Sequence, residues 1–132
     1  MERIDNGVYR LYIVADDSHM FTANYGEAQI LSYNGWTDEG VGWKSGNDGR
    51  VYRLCNKNSG DHLLTASALE LLEYLFSGRA WEGVTFKQGG GVAVYRLYNK
   101  NSGQLFCTMN ADEKNSLVGC DWTDEGEAFK GE

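Results

Sequence analysis

Val8-Tyr9-Arg10-Leu11-Tyr12, Val51-Tyr52-Arg53-Leu54-Cys55 and Val94-Tyr95-Arg96-Leu97-Tyr98 are one pentapeptide written three times, with 43 residues between equivalent positions in both steps. The register holds onward without insertion, through Thr22, Thr65 and Thr108, Glu27, Glu70 and Glu113, Glu39, Glu82 and Glu125, and Lys44, Lys87 and Lys130. Self-similarity at a fixed period of this size marks an architecture in which each copy is one supersecondary unit. The copies lie at approximately 7–49, 50–92 and 93–132 and fill a single domain of residues 1–132.

Each copy reads as strand, turn, strand, helix, strand. The opening pentapeptide puts Val and Arg on one side of a pleated ribbon and Tyr and Leu on the other. Asn58-Ser59-Gly60 and Asn101-Ser102-Gly103 supply a turn with a glycine for the positive φ. Copy one has Ala15-Asp16-Asp17 there, which predicts a different turn. Asn24, Ser67 and Asn110, each followed three residues later by Glu27, Glu70 or Glu113, predict three helix starts. The carboxylate favours the positive end of the helix dipole and can reach back to the cap. The helices should stop near Gly35, Gly78 and Asp121, and third strands should run through Trp43, Phe86 and Phe129.

A unit of about 40 residues cannot bury its own apolar face, so the three are expected to close around a shared axis. The expected fold is α+β, one pseudo-threefold domain of three strand-strand-helix-strand repeats. A β-trefoil is the competing fold, and the helix caps argue against it.

The formal charge is −7 and the basic residues are scattered singly, which disfavours a nucleic-acid partner. No apolar run approaches the roughly 18 to 20 residues of a membrane span, and the polar start Met1-Glu2-Arg3-Ile4-Asp5 does not read as an export signal. Cys55, Cys107 and Cys120 are odd in number and lack a Cys-x-x-Cys pair. That usage suggests reduced thiols made in a cytoplasm, with neither a disulfide framework nor a zinc clip; no cofactor or metal is expected.

The repeated Val-Tyr-Arg-Leu-Tyr-Asn, Asn-Ser-Gly and Gly-Trp-x-x-Glu-Gly pattern resembles the repeats of secreted and phage peptidoglycan hydrolases, and most closely the cell-wall-binding domains of enterococcal phage endolysins. The resemblance implies a non-catalytic module that targets a lytic enzyme to a glycan or teichoic-type polymer of a Gram-positive wall. It further implies synthesis in the cytoplasm of the host bacterium, action at the wall, and association as a homo-oligomer or with a full-length catalytic endolysin. The chain departs from the pattern at Leu105, where copies one and two have His19 and His62, and at Arg79, where the others have Trp36 and Trp122.

No catalytic constellation stands out. His19 and His62 occupy equivalent places in two copies, no cysteine recurs, and Asp38-Glu39 and Asp124-Glu125 are neighbours whose side chains point to opposite faces of a strand. The plain reading of Glu39, Glu82 and Glu125 is that they hold Arg10, Arg53 and Arg96; the same groups could instead hydrogen-bond sugar hydroxyls. A carbohydrate needs aromatic faces and planar polar groups. Trp36, Trp122, Trp81, Tyr12 and Tyr98 are the candidates for the first, and Asp38, Asp124, Glu39, Glu125, His19 and His62 for the second. A general lectin-like domain and an assembly subunit of a lytic enzyme are the alternatives.

The helix of copy two is unlike its siblings. Leu69, Leu72 and Phe76 replace Gly26, Gln29 and Tyr33 of copy one and Asp112, Asn115 and Gly119 of copy three, at a spacing that lines one helical stripe. An apolar ridge widened by Leu71 is expected to face water there, as the seam of an oligomer.

Overall fold

In a computed structural model, which describes residues 2–132, the elements run β1 (Gly7–Ile13), β2 (Ser18–Thr22), α1 (Tyr25–Tyr33), β3 (Thr37–Lys44), β4 (Gly49–Cys55), β5 (His62–Thr65), α2 (Ala68–Phe76), β6 (Ala80–Gln88), β7 (Val92–Asn99), β8 (Leu105–Thr108), α3 (Ala111–Val118) and β9 (Trp122–Gly131). The domain is mostly β, with three helices. Each copy contributes one three-stranded antiparallel sheet whose first strand lies in the middle, in the orders β2-β1-β3, β5-β4-β6 and β8-β7-β9. The helices set it apart from an all-β trefoil. No described helix is long and apolar enough to cross a membrane.

The middle position of the first strand explains its composition. Val8, Val51 and Val94 face one cluster built from all three copies, together with Phe21, Leu64, Phe106, Trp43, Phe86 and Phe129. On the opposite face, Tyr9 and Leu11 pack on Ala28 of α1, and Leu54 packs on Leu71 of α2. Alternation thus serves a shared core on one side and a private helix on the other.

At the centre of the shared core, the rings of Trp43, Phe86 and Phe129 meet with centroids 5.5 to 5.8 Å apart in tilted or edge-on geometry, as ring quadrupoles favour. Around them the copies join by backbone. Lys44 and Glu132 exchange bonds of 2.8 and 3.0 Å, Gly46 N donates to Lys87 O, and Gly89 N donates to Lys130 O. Trp43 is larger than its equivalents, and Gly131 makes room for it: a Cβ there would lie 3.0 Å from Trp43 Cδ1.

The helix boundaries follow the expected signals. Asn24, Ser67 and Asn110 each accept from the backbone N–H of the Glu three residues on, and Gly35, Gly78 and Asp121 take left-handed φ of 100°, 100° and 71° just past the ends.

Two expectations need correction, and that of a different turn in copy one holds in its hydrogen bonding but not in its backbone sign. The Glu carboxylates do not reach back to the caps, because they bind arginines of another copy, as described below. The copy-one turn keeps the left-handed residue of its siblings, since Asp17 has φ 50° where Gly60 and Gly103 have 75° and 77°. Its hydrogen bond nonetheless differs: Asp17 N donates to Val14 O, three residues back, whereas Gly60 N donates to Asn56 O, four back. Asp17 also receives the Tyr12 hydroxyl at 2.8 Å, which compensates the strained backbone. Finally, Leu71 is buried against Leu54 and Leu63 and does not widen an exposed ridge, whereas Leu69, Leu72 and Phe76 do face solvent.

A candidate ligand cleft between copies one and three

The arginine of each first strand is clamped by two carboxylates, one from its own copy and one from another. Arg53 Nε donates to Glu82 Oε1 at 2.8 Å, its two Nη atoms meet both oxygens of Glu27 at 2.9 Å, and Nη1 also donates to Phe21 O at 3.1 Å. Arg96 repeats the pattern with Glu125, Glu70 and Leu64 O. The guanidinium first, helped by the Thr22 or Thr65 hydroxyl, holds Glu27 and Glu70 below the usual carboxylate range. The Arg–Glu reading of Glu39, Glu82 and Glu125 is therefore seen in the structure, with a second glutamate added from the neighbouring helix.

The clamp that joins copy one to copy three is looser. Arg10 Nη1 donates to Glu113 Oε1 at 2.9 Å, in one bond instead of a bidentate pair. Its Nε lies 2.9 Å from Glu39 Oε1, yet the N–H is not aligned with that oxygen and has no other partner. The guanidinium carbon sits 5.1 Å from the centre of the Phe106 ring.

Hollows open on both sides of this arginine. One, of about 170 Å³, is lined by Arg10, His19, Glu39, Phe106, Glu113, Leu117 and Trp122. The other, of about 430 Å³, is walled by Val41, Gly42, Thr108, Met109 and Asn110 around the same Arg10, Glu39 and Glu113. The first combines aromatic surface with fixed polar groups. Phe106 and Trp122 meet edge to face at 6.4 Å, and the His19 ring stands 4.7 Å from Phe106. Burial holds His19 below its ordinary pKa against the pull of Glu39, so at neutral pH the ring is uncharged and its Nε2–H donates to Glu39 Oε1 at 3.0 Å. A larger hollow of about 520 Å³ lies in copy two between the β4–β5 turn and the end of α2, with polar walls and Tyr74 as its aromatic residue. It offers less apolar surface against which a ring could stack.

The structure brings His19, Glu39 and Trp122 together at this cleft, with the Tyr12 ring tilted against His19 at 4.8 Å. It does not bring the other candidates there. Trp36 is half-buried against Tyr9, Leu11 and Ala28, Trp81 stands exposed on β6 beside Tyr52, and Tyr98 packs beside Leu105. Glu125 and His62 belong to the copy-two and copy-three networks. Asp38 and Asp124 each accept from the backbone N–H of Gly40 or Gly126, whose φ of 87° and 86° marks the bend in β3 and β9. The same bend forms at Gly83 in copy two, where Trp81 stands in place of the aspartate. Sequence reasoning weighed Arg10 as a sugar contact but missed Glu113 and Phe106 as cleft residues. Glu113 recurs in the sequence, but as a helix-start residue, and its partner lies 103 residues away.

Residues 7–132 match a family described as a domain of unknown function, DUF5648. The chain belongs to the DUF5648 family. No match to this DUF5648 chain is found among curated proteins or among solved structures.

Proposed function

We propose that this DUF5648 chain is a non-catalytic binding module, three copies closed as one pseudo-threefold domain, that holds a cell-wall lytic enzyme of phage type to a Gram-positive envelope. The observation that carries the reading is the cleft at Arg10. Pyranose rings present apolar C–H faces that stack on aromatic side chains, and hydroxyls that planar polar groups fix; Trp122, backed by the buried Phe106, offers the first, and Arg10, His19, Glu39 and Glu113 the second. The Arg10 side chain, 21% exposed, can donate from its guanidinium to either a sugar hydroxyl or a teichoic-type phosphate. The repeat resemblance supports the same class of ligand, and the head-to-tail clamps support the threefold closure.

The sites are unequal. The equivalents of Phe106 and Trp122 are Met20 and Trp36 in copy one, and Leu63 and Arg79 in copy two, so the aromatic pair occurs in copy three. Glu39 and Glu113 are both engaged by Arg10, which suits recognition better than acid catalysis. The test is sedimentation of the pure chain with purified Gram-positive walls, with the supernatant assayed for reducing sugar and free amine. Retention on walls without release is expected; failure to sediment, or release of fragments, overturns the reading.

A second reading, an assembly subunit of a lytic enzyme, is favoured by one observation: Leu69 and Phe76 on α2 are 68% and 90% exposed, with Leu72 between them. The two readings are compatible. A homo-oligomer, or a complex with a full-length catalytic chain, would cover that ridge and leave the Arg10 cleft free.

A further inference from the structure

Copy two departs from its siblings at a point away from the Arg10 cleft. Cys55 on β4 stands where copies one and three have Tyr12 and Tyr98, and it pairs across the hairpin with His62 on β5. Glu82 reaches the same place from β6. The Cys55 sulfur, a His62 ring nitrogen and a Glu82 carboxylate oxygen all lie within 4.8 Å of one another.

Copy one provides an internal comparison. There, with a tyrosine in place of the thiol, His19 Nε2 and Glu39 Oε1 are 3.0 Å apart, an ordinary hydrogen bond; in copy two the corresponding distance is 3.4 Å. Two ligands on one tetrahedral zinc, with bonds of about 2.0 to 2.3 Å, stand roughly 3.6 Å apart. The wider spacing is thus close to that of two donors sharing a cation. The His62 side chain is 8% exposed and presents Nε2 to Glu82.

The surroundings suit a positive ion. Arg53 also touches Glu82, but its charge is matched by the bidentate Glu27 pair. Glu27, Glu82 and buried Asp61 outnumber Arg53 and Arg79, and Asp61 Oδ2 is itself unpartnered. Carboxylate, imidazole and thiol together form a borderline-soft donor set, suited to zinc over calcium or magnesium.

We propose that Cys55, His62 and Glu82 form a site for one thiophilic divalent cation, zinc by donor type, with its fourth position left to water. His62 binds through a neutral ring nitrogen and Glu82 as the carboxylate. The Cys55 thiol gives its proton to solvent as the sulfur–metal bond forms, so one proton is released per cation.

Cobalt(II) titrated into the reduced, metal-free full chain is the test. One equivalent should produce a thiolate-to-cobalt charge-transfer band with the strong visible absorption of a four-coordinate ion; zinc should displace both and raise the thermal midpoint. Cys55→Tyr and His62→Leu install residues that sibling copies already carry at these positions, and each should abolish the band while circular dichroism stays native. Cys120→Ser, at an exposed thiol, should leave it intact. Should Cys55→Tyr fail to fold, Cys55→Ser carries the same arm. No charge-transfer band from the wild-type chain in excess cobalt, or a band that survives loss of the Cys55 sulfur, overturns the proposal. Neither result depends on whether the chain binds walls.

Discussion

Replacing Arg53 and Arg10 in turn by methionine, which keeps the apolar stem and removes the charge, measures how unequal the seams are. Arg53 is 8% exposed and makes four aligned bonds, two of them a fork on Glu27, and its loss strands a buried carbonyl at Phe21 as well as two carboxylates. Breaking a buried pair costs about 3 to 5 kcal/mol when the partner stays dry. Here Glu27 and Glu82 are each about one-third exposed and can partly rehydrate, which brings the expected loss to about 3 kcal/mol. Arg10 is 21% exposed with one aligned charged bond, so its loss should cost about 1 kcal/mol. In urea, with a slope of about 2 kcal/mol/M, the midpoint should fall by roughly 1.5 M for Arg53→Met and roughly 0.5 M for Arg10→Met, without a change in slope. Equal shifts, or a larger one for Arg10→Met, would refute the argument that the copy one to copy three seam is the loose one.

Trp122→Ala should weaken wall retention at least about tenfold, a loss of about 1.4 kcal/mol, and more than Trp36→Ala or Arg79→Ala does, as read by binding isotherms on purified walls. Equal losses from all three would remove recognition from this position. Asp121→Gly should raise stability by about 1 kcal/mol in thermal unfolding, because glycine takes the φ of 71° without the penalty borne by an L side chain. Glu70, held low by Arg96, favours the folded state above its unfolded pKa of about 4.3, and that contribution is lost as pH falls through the folded value. Acid titration of Glu70→Gln should accordingly show a shallower loss of stability below about pH 4.3 than the wild type. Leu69→Asp with Leu72→Gln should reduce the mass seen by light scattering if α2 is an assembly surface. A monomeric wild type, or an oligomer unaltered by the pair, removes α2 from that role.

The repeat, the strand and helix order and the helix ends were legible because each is local and written three times. What lay beyond the sequence was whatever joins one copy to another. Glu27 reads as a helix-start residue, and nothing local to it indicates an arginine 26 residues on. The Leu71 error has a similar root. Its equivalents Ala28 and Lys114 look like a neutral and a solvent position, yet Ala28 is buried on Tyr9 and Leu11, and Lys114 lays its ammonium 4.4 Å from the centre of the Tyr95 ring. All three face the first strand, and a lysine can occupy such a place through its aliphatic stem and the face of a ring. The cleft was half legible. Trp122, His19 and Glu39 have the right chemistry in isolation, but Phe106 stands where siblings carry Met20 and Leu63, so recurrence worked against noticing it.

The clamps set a limit on copy number. In open solenoids the outermost repeats have one bare flank, so arrays fray from their ends and tolerate insertion of further units. Here Glu27 of the first copy holds Arg53 of the second, Glu70 of the second holds Arg96 of the third, and Glu113 of the third returns to Arg10 of the first. Every flank is already taken. A fourth unit added by duplication would find no vacant arginine and would have to prise apart a seam to enter, and with it the packed rings of Trp43, Phe86 and Phe129 at the centre. Such a chain can drift in sequence copy by copy, as this one has, but it cannot grow by one.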